Sequence, residues 1–352
     1  KMIFRKTWFV LLLFISSLIS VNGQDPVFSQ ITSQPLLANP AFAGLHSGEI
    51  RASLQFNTQS DLPSLSYKNQ LSAFGIDTRY KAGRQDFWTL QGLISSFKIG
   101  DPSFVHQKVS LGGGYLKLLK AGRYGKGTQY LSLAFQVGLE QTSLASNTWF
   151  SNQYDPNIGG VNTSLPSGEP NGITYSSSYI PDVNAGVIWS NSWSKNTGIY
   201  AGVSMFHINE PKTGFIPNAD TRLERKTTLI AGGEFSLTEN THILPVIYYL
   251  VQGPHQRISL GTPFRFNPRD WNDQALRAGL WLHGNQSDNG KWFFGEITFQ
   301  TVFELKNIQL GLAYSIGQKP LQTSSFSRNS FEINFIWIKP ADYKKKITCP
   351  RI

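Results

Sequence analysis

Cysteine is nearly missing from this chain: Cys349 is the single one in 352 residues. That excludes an internal disulfide framework and leaves a thiol that is free, modified or paired with another molecule. Charge is scarce as well. Lys, Arg, Asp and Glu make up 15% of the residues, against roughly 25% in ordinary soluble domains. The net charge of +10 comes from basic residues that are spread out. No basic helix, zinc spacing or RNA-binding signature accompanies them, which argues against a nucleic-acid partner. Past Ile19 there is no apolar run approaching the roughly 20 residues that a membrane-spanning helix needs.

Catalytic patterns are missing too. The six His, at 46, 106, 207, 242, 255 and 283, form no HxH, HxxxH or HExxH spacing that would put two metal ligands on one face, so no metal or cofactor is expected. There is no GxSxG, no GxxxxGK[ST], and no GxGxxG followed by a helical pattern. His283 faces away from Leu280 and Leu282 and is the one base a Ser nucleophile would find, but no nucleophile motif accompanies it. No catalytic residue is assigned. Gly112-Gly113-Gly114 reads as a stretch of strand that relieves crowding or bends a wall.

What is present begins with Lys1, Arg5 and Lys6, an apolar core from Trp8 to Ile19, and the small or neutral Val21-Asn22-Gly23. These are the three regions of a secretory signal, with cleavage expected after Gly23. No Cys stands at that point to carry a lipid. Aromatic residues reach 13% and Gly numbers 32. From Glu49 onward, alternation recurs: Phe74, Ile76 and Tyr80 against Gly75, Asp77 and Arg79; Leu131, Leu133, Phe135, Val137 and Leu139 against Ser132, Ala134, Gln136, Gly138 and Glu140. A strand puts such sets on opposite faces. The outward face of a soluble sandwich would be rich in Lys and Glu; here the second face holds Gly, Ser and Ala and reads as a lumen.

The pattern predicts strands near 49–57, 68–80, 86–98, 103–119, 128–140, 181–190, 196–207, 224–236, 241–251, 255–262, 272–283, 291–301, 305–315 and 328–338. The fold class is therefore all-β, a transmembrane antiparallel barrel of about 14 strands. Its first and last strands should pair, because an open edge in lipid strands backbone amides without partners. Phe331, Ile333, Phe335 and Trp337, alternating with Glu332 and Asn334, mark the last strand. Connections at 191–195 and 237–240 are short and fall on one side, read as periplasmic. The long polar stretch 142–180 falls on the other. Asp77, Arg79, Arg277, Glu296 and Glu332 lie on lumenal faces, where they form either an internal salt-bridge network or a peptide-binding or permeation surface. The basic segment 339–352 is expected to be a solvated periplasmic tail or a contact for another component.

Residues 24–48 lack β alternation. Asp25-Pro26-Val27-Phe28-Ser29-Gln30 is followed by Pro35-Leu36-Leu37-Ala38-Asn39-Pro40-Ala41-Phe42-Ala43-Gly44. Three prolines rule out a regular central strand, and Phe28, Leu36, Leu37 and Phe42 should pack on something apolar. The segment reads as a plug or belt at the periplasmic mouth, or as a docking surface for a partner. These two runs resemble the opening of the PorP/SprF-like family, and Pro181–Gly186 and Tyr200–Ser204 resemble its mid-barrel strands. Residues 31–34 read Ile-Thr-Ser-Gln where the family usually has Tyr-Met-Phe-Asn. The resemblance implies a non-enzymatic outer-membrane protein of type IX secretion and gliding. Such a protein binds, helps export or anchors a large secreted adhesin through its C-terminal domain, and has periplasmic partners linked to peptidoglycan. A channel for small or hydrophobic solutes is the alternative.

Overall fold

The computed structural model describes residues 25–61, 68–83, 85–100, 104–122, 127–144, 150–166, 168, 179–194, 196–213, 222–271, 273–286, 290–317, 328–341, 347 and 350–351. The expected signal segment 1–23, parts of the loop from 145 to 178 (145–149, 167 and 169–178), and Cys349 lie outside them.

The chain forms β1 (Ile50–Asp61), β2 (Lys68–Lys81), β3 (Phe87–Ile99), β4 (Phe104–Lys120), β5 (Thr128–Leu144), a small hairpin of β6 (Tyr154–Asp155) and β7 (Gly160–Val161), β8 (Ile180–Ser194), β9 (Thr197–Phe206), β10 (Lys226–Ser236), β11 (Thr241–Ile243), β12 (Val246–Gln252), β13 (His255–Gly261), β14 (Phe264–Phe266), β15 (Gln274–Gln286), β16 (Trp292–Leu305), β17 (Ile308–Gly317) and β18 (Arg328–Lys339). Apart from the hairpin, all lie in one antiparallel sheet that closes on itself. β11 with β12, and β13 with β14, are halves of two staves interrupted at Pro245 and Pro263, which have no amide proton for the ladder. The barrel therefore has fourteen staves, one for each strand predicted.

Closure runs through β1 and β18, in register from Ile50 opposite Lys339 to Asp61 opposite Arg328. Several strands overrun their expected ends. β5 continues to Leu144 and β8 to Ser194, so Asn191–Ser194 belongs to a strand rather than to a turn. Pairing continues through Gln141–Ser143 and Asn191–Ser192, where the residues are polar on both faces and the alternation that betrays a strand fades.

The two faces differ as alternation requires. Phe74, Ile76, Leu133, Phe135, Val137, Leu282, Leu312, Ile333 and Trp337 point outward and are exposed. An apolar belt of this extent is stable only against lipid. Among the described residues no helix is long and apolar enough to cross a membrane. Inward, Gln55, Asp77, Asn184, His283 and Glu332 are buried. The lumen is not uniformly polar, however. Tyr130, Ile188, Tyr200, Ile230, Tyr248 and Trp281 form an apolar sector facing Ile31, Ala41, Phe42 and Leu45.

Candidate functional site

The lumen is occupied by the chain's own N-terminal segment. After an extended start at Asp25 it makes a 3-10 turn at Ile31–Ser33, one α turn at Pro35–Ala38 and a 3-10 turn at Pro40–Phe42. Pro35 and Pro40 open the second and third turns, where a missing amide proton costs nothing. Asn39 caps the last turn: its side chain accepts the Ala41 amide at 2.8 Å. Compact turns use up backbone hydrogen bonds internally, so a segment without β pattern can fill a bore.

One end of the barrel carries the short connections around 121–127, 195–196, 237–240 and 306–307. The other carries the longer ones, including 145–179. Short turns are periplasmic in barrels of this kind. The segment starts at the long-loop end, where Asp25 Oδ2 meets His207 Nε2 at 2.8 Å and Lys226 Nζ at 2.5 Å. It descends past Glu332, whose carboxylate accepts the backbone amides of Ser29 at 2.7 Å and Gln30 at 3.0 Å. Gln34 accepts from Ser53 at 2.6 Å. Asn39 Nδ2 donates to Val187 and Val203 carbonyls at 3.2 and 3.0 Å, and Gln91 donates to the Pro40 carbonyl at 3.1 Å. Phe42, fully buried, meets Tyr200 edge-on at 5.6 Å.

Near the short-turn end the Gly44 amide donates to Asp77 at 2.7 Å, while Arg79 donates to the Gly44 and His46 carbonyls at 2.7 and 2.5 Å. Gly44 has φ +71°, and a Cβ there would stand 2.6 Å from Thr89 Cγ2, so glycine is demanded twice over. Asp77 is also paired with Arg51 at 2.8 Å. His46 lies 3.2 Å from Asp77. Burial outweighs that carboxylate and pushes the imidazole down to about 4.

The N-terminal motif residues therefore line one continuous path. Pro26 is half-buried, and Phe28 packs with Leu71 and Ala73. Of the five lumenal charges, Asp77, Arg79 and Glu332 hold the segment directly, and Glu296 meets Ser29 Oγ at 3.2 Å while pairing with Arg257 at 2.7 Å. Arg277 stands apart and shares Glu304 with Arg265.

Sequence reasoning did not single out the cluster that receives Asp25. Lys108 bridges Glu140 at 2.8 Å and Asp182 at 2.5 Å, and His207 Nδ1 lies 2.8 Å from Asp182. All of Lys108, Glu140, Asp182 and Lys226 sit at inward positions of their strands, so parity marked them. Their convergence depended on register. Glu140, Asp182 and His207 come close enough to suggest a cation site, but the Lys108 ammonium already supplies the positive charge there. His283, fully buried, is held by Ser259 at 2.8 Å and stacks on Trp281, a structural arrangement inside the wall.

Of the expected tail 339–352, residues 342–346, 348, 349 and 352 lie outside the described residues. Ile347 is buried in the apolar cluster around Phe42, and Arg351 bonds Glu234 and Asn196 on the side of the barrel opposite β18. Between Ile347 and Arg351 on one side and the N-terminal segment on the other lies a short-turn vestibule of about 1060 Å3, lined by Leu45, His46, Arg265, Arg277 and Ile347 among others.

A family model described as "Type IX secretion system membrane protein PorP/SprF" matches residues 20–337. No curated protein matches the chain. Among solved structures, the Ralstonia pickettii toluene transporter TbuX is 12% identical, with a TM-score of 0.50 over 91% of this chain and 96% of its own. The Pseudomonas putida toluene transporter TodX is 12% identical, with a TM-score of 0.46 over 90% and 97%. A Pseudomonas aeruginosa FadL homologue is 9% identical, with a TM-score of 0.45 over 90% and 100%. At these identities the likeness is one of fold.

Proposed function

The chain belongs to the PorP/SprF family of type IX secretion system membrane proteins, and from that premise we propose that it is a docking barrel rather than an open pore. It binds, helps export or anchors a large secreted adhesin through that protein's C-terminal domain. The long-loop end meets the adhesin, and the short-turn end meets periplasmic components connected to peptidoglycan or the gliding apparatus. The observation that carries this reading is the occupied lumen: residues 25–45 run its length on buried hydrogen bonds to opposite sides of the wall. A bore filled by its own chain offers rims and loops to a partner.

Affinity purification of the tagged protein from its native outer membrane, with mass spectrometry of what stays bound, tests it. Recovery of a large adhesin or of type IX components supports docking. A barrel that emerges alone after crosslinking, and conducts in planar bilayers, overturns it in favour of a channel for small or hydrophobic solutes.

A further inference from the structure

The lipid-facing wall has a hole in its upholstery. An apolar groove of about 650 Å3 crosses β3, β4, β5 and β8, walled by Tyr80, Trp88, Leu90, Tyr115, Leu133 and Phe135. Trp88, Leu90, Leu133 and Phe135 are each more than half exposed. The depression arises because one outward row reads Leu90, Gly113, Phe135, Ala185 across four paired strands, so every second position lacks bulk.

The three consecutive glycines of β4 are not equivalent. At Gly112 a Cβ would stand 2.2 Å from the Phe135 carbonyl oxygen, and at Gly114 it would stand 2.4 Å from that of Leu133. Those two are required by the packing of the wall. At Gly113 the nearest atoms would be Thr89 O at 3.4 Å and Leu90 Cδ2 at 3.7 Å, ordinary contact distances. Nothing in the protein forbids a side chain at 113, and the space it would fill opens to lipid. Unfilled, the surrounding rings forfeit dispersion contacts on one side.

The groove has a polar end. Trp88 and Tyr115 meet edge-on at 4.7 Å toward the short-turn boundary, where barrel aromatics lie at headgroup depth. Beyond them the Tyr115 hydroxyl donates to Asp86 at 3.0 Å, and Lys117 Nζ binds the same carboxylate at 2.7 Å. Lys117 follows Tyr115 on the outward face of β4 and is 53% exposed. Asp86 uses one of its three ammonium protons, which leaves donors for a phosphate.

We propose that this groove binds one glycerophospholipid of the short-turn leaflet, with an acyl chain lying over Gly113 and its phosphate accepting from Lys117. The site is independent of the lumen and of any secreted partner.

Native mass spectrometry of the barrel during stepwise removal of lipid by detergent, with added phosphatidylglycerol or phosphatidylethanolamine as probes, tests the site. The wild type should keep one phospholipid after the others are stripped. Gly113→Leu, checked for heat-modifiable folding, should keep none, because the new side chain fills the groove. Lys117→Gln leaves the wall untouched and should hold the lipid about fivefold more weakly, the effect of one basic contact at a membrane surface. A folded Gly113→Leu barrel that keeps its lipid, a Lys117→Gln barrel that holds it as firmly as wild type, or a wild type stripped bare with the bulk lipid overturns the proposal.

Discussion

Glu332 and Ser29 stand 303 positions apart in sequence and 2.7 Å apart in space, the Ser29 amide donating to Glu332 Oε1. The last strand of the barrel thus grips the first motif of the chain. The same carboxylate accepts the Gln30 amide and the side chains of Gln55 and Asn57.

Glu332→Ala should therefore unseat the upper half of the N-terminal segment. It strands two buried backbone amides, those of Ser29 and Gln30, and each orphaned donor costs about 1–3 kcal/mol. The fourteen-stave wall does not depend on that residue, so the variant should remain heat-modifiable on gels. Limited proteolysis is the check: cleavage between Asp25 and Gln34 in the variant and not in the wild type is expected, and equal resistance would remove Glu332 from the anchor.

The clamp on Asp25 should weaken in alkali. Burial disfavours the His207 imidazolium, but the Asp25 charge and the hydrogen bonds that the imidazolium donates to Asp182 and Asp25 outweigh it and raise the group to about 9. Glu140 at 3.7 Å and the ammonium groups of Lys108 and Lys226 complete the surroundings. A group whose folded pKa is raised contributes fully below its unfolded value, about 6.5, and loses that contribution as pH rises through about 9. Asp25 is held well below its ordinary range, against its own burial, by Lys226 and His207, so it stays ionised throughout. Protease sensitivity near residue 25 should rise between pH 7 and pH 10. In Asp25→Asn it should already be high at pH 7, and a flat profile in the wild type would exclude His207 as the titrating group.

Residues near Asp25 and near Arg351 should report on opposite sides of the membrane. Asp25 lies at the long-loop mouth and Arg351 at the short-turn mouth, bonded to Glu234. An epitope placed just before Asp25 should be stained on intact cells, and one placed just after Ile352 only on permeabilised cells. The reverse pattern would invert the orientation argued from loop length.

Deleting residues 145–178 tests the proposed contact of the long-loop rim with an adhesin. Adhesin retention should be lost while the barrel stays folded; unchanged retention would move the contact to other outer loops or to the opposite mouth.

Much of this architecture is legible in the sequence because each face of a lipid-embedded strand has a different solvent. Phe74–Tyr80 and Phe331–Trp337 announce both the strand and its inward side. The ends of β5 and β8 were hidden, since Gln141–Ser143 and Asn191–Ser192 are polar on both faces and carry no alternation. The lumen's apolar sector was hidden for another reason. Tyr200 and Trp281 look lipid-directed by type, and what they face, Phe42 and its neighbours, is contiguous only once the bore is folded. Likewise Lys108, Glu140, Asp182 and Asp25 are unremarkable charges until registers between β4, β5 and β8 bring three of them level and the N-terminal segment brings the fourth.

The seam between β1 and β18 bears on how the molecule is made. Glu332 lies in that seam, opposite Asn57, and both reach Ser29 or its acceptor. A hoop fastened around a cord already in place avoids drawing that cord through a finished ring. The fastening strand carries the residue that feels the cord, so the first motif can be fully seated only once that strand is in place. Incomplete seating would deprive the seam's own carboxylate of its two backbone donors, Ser29 and Gln30, a penalty that falls on the unseated intermediate and not on the finished barrel.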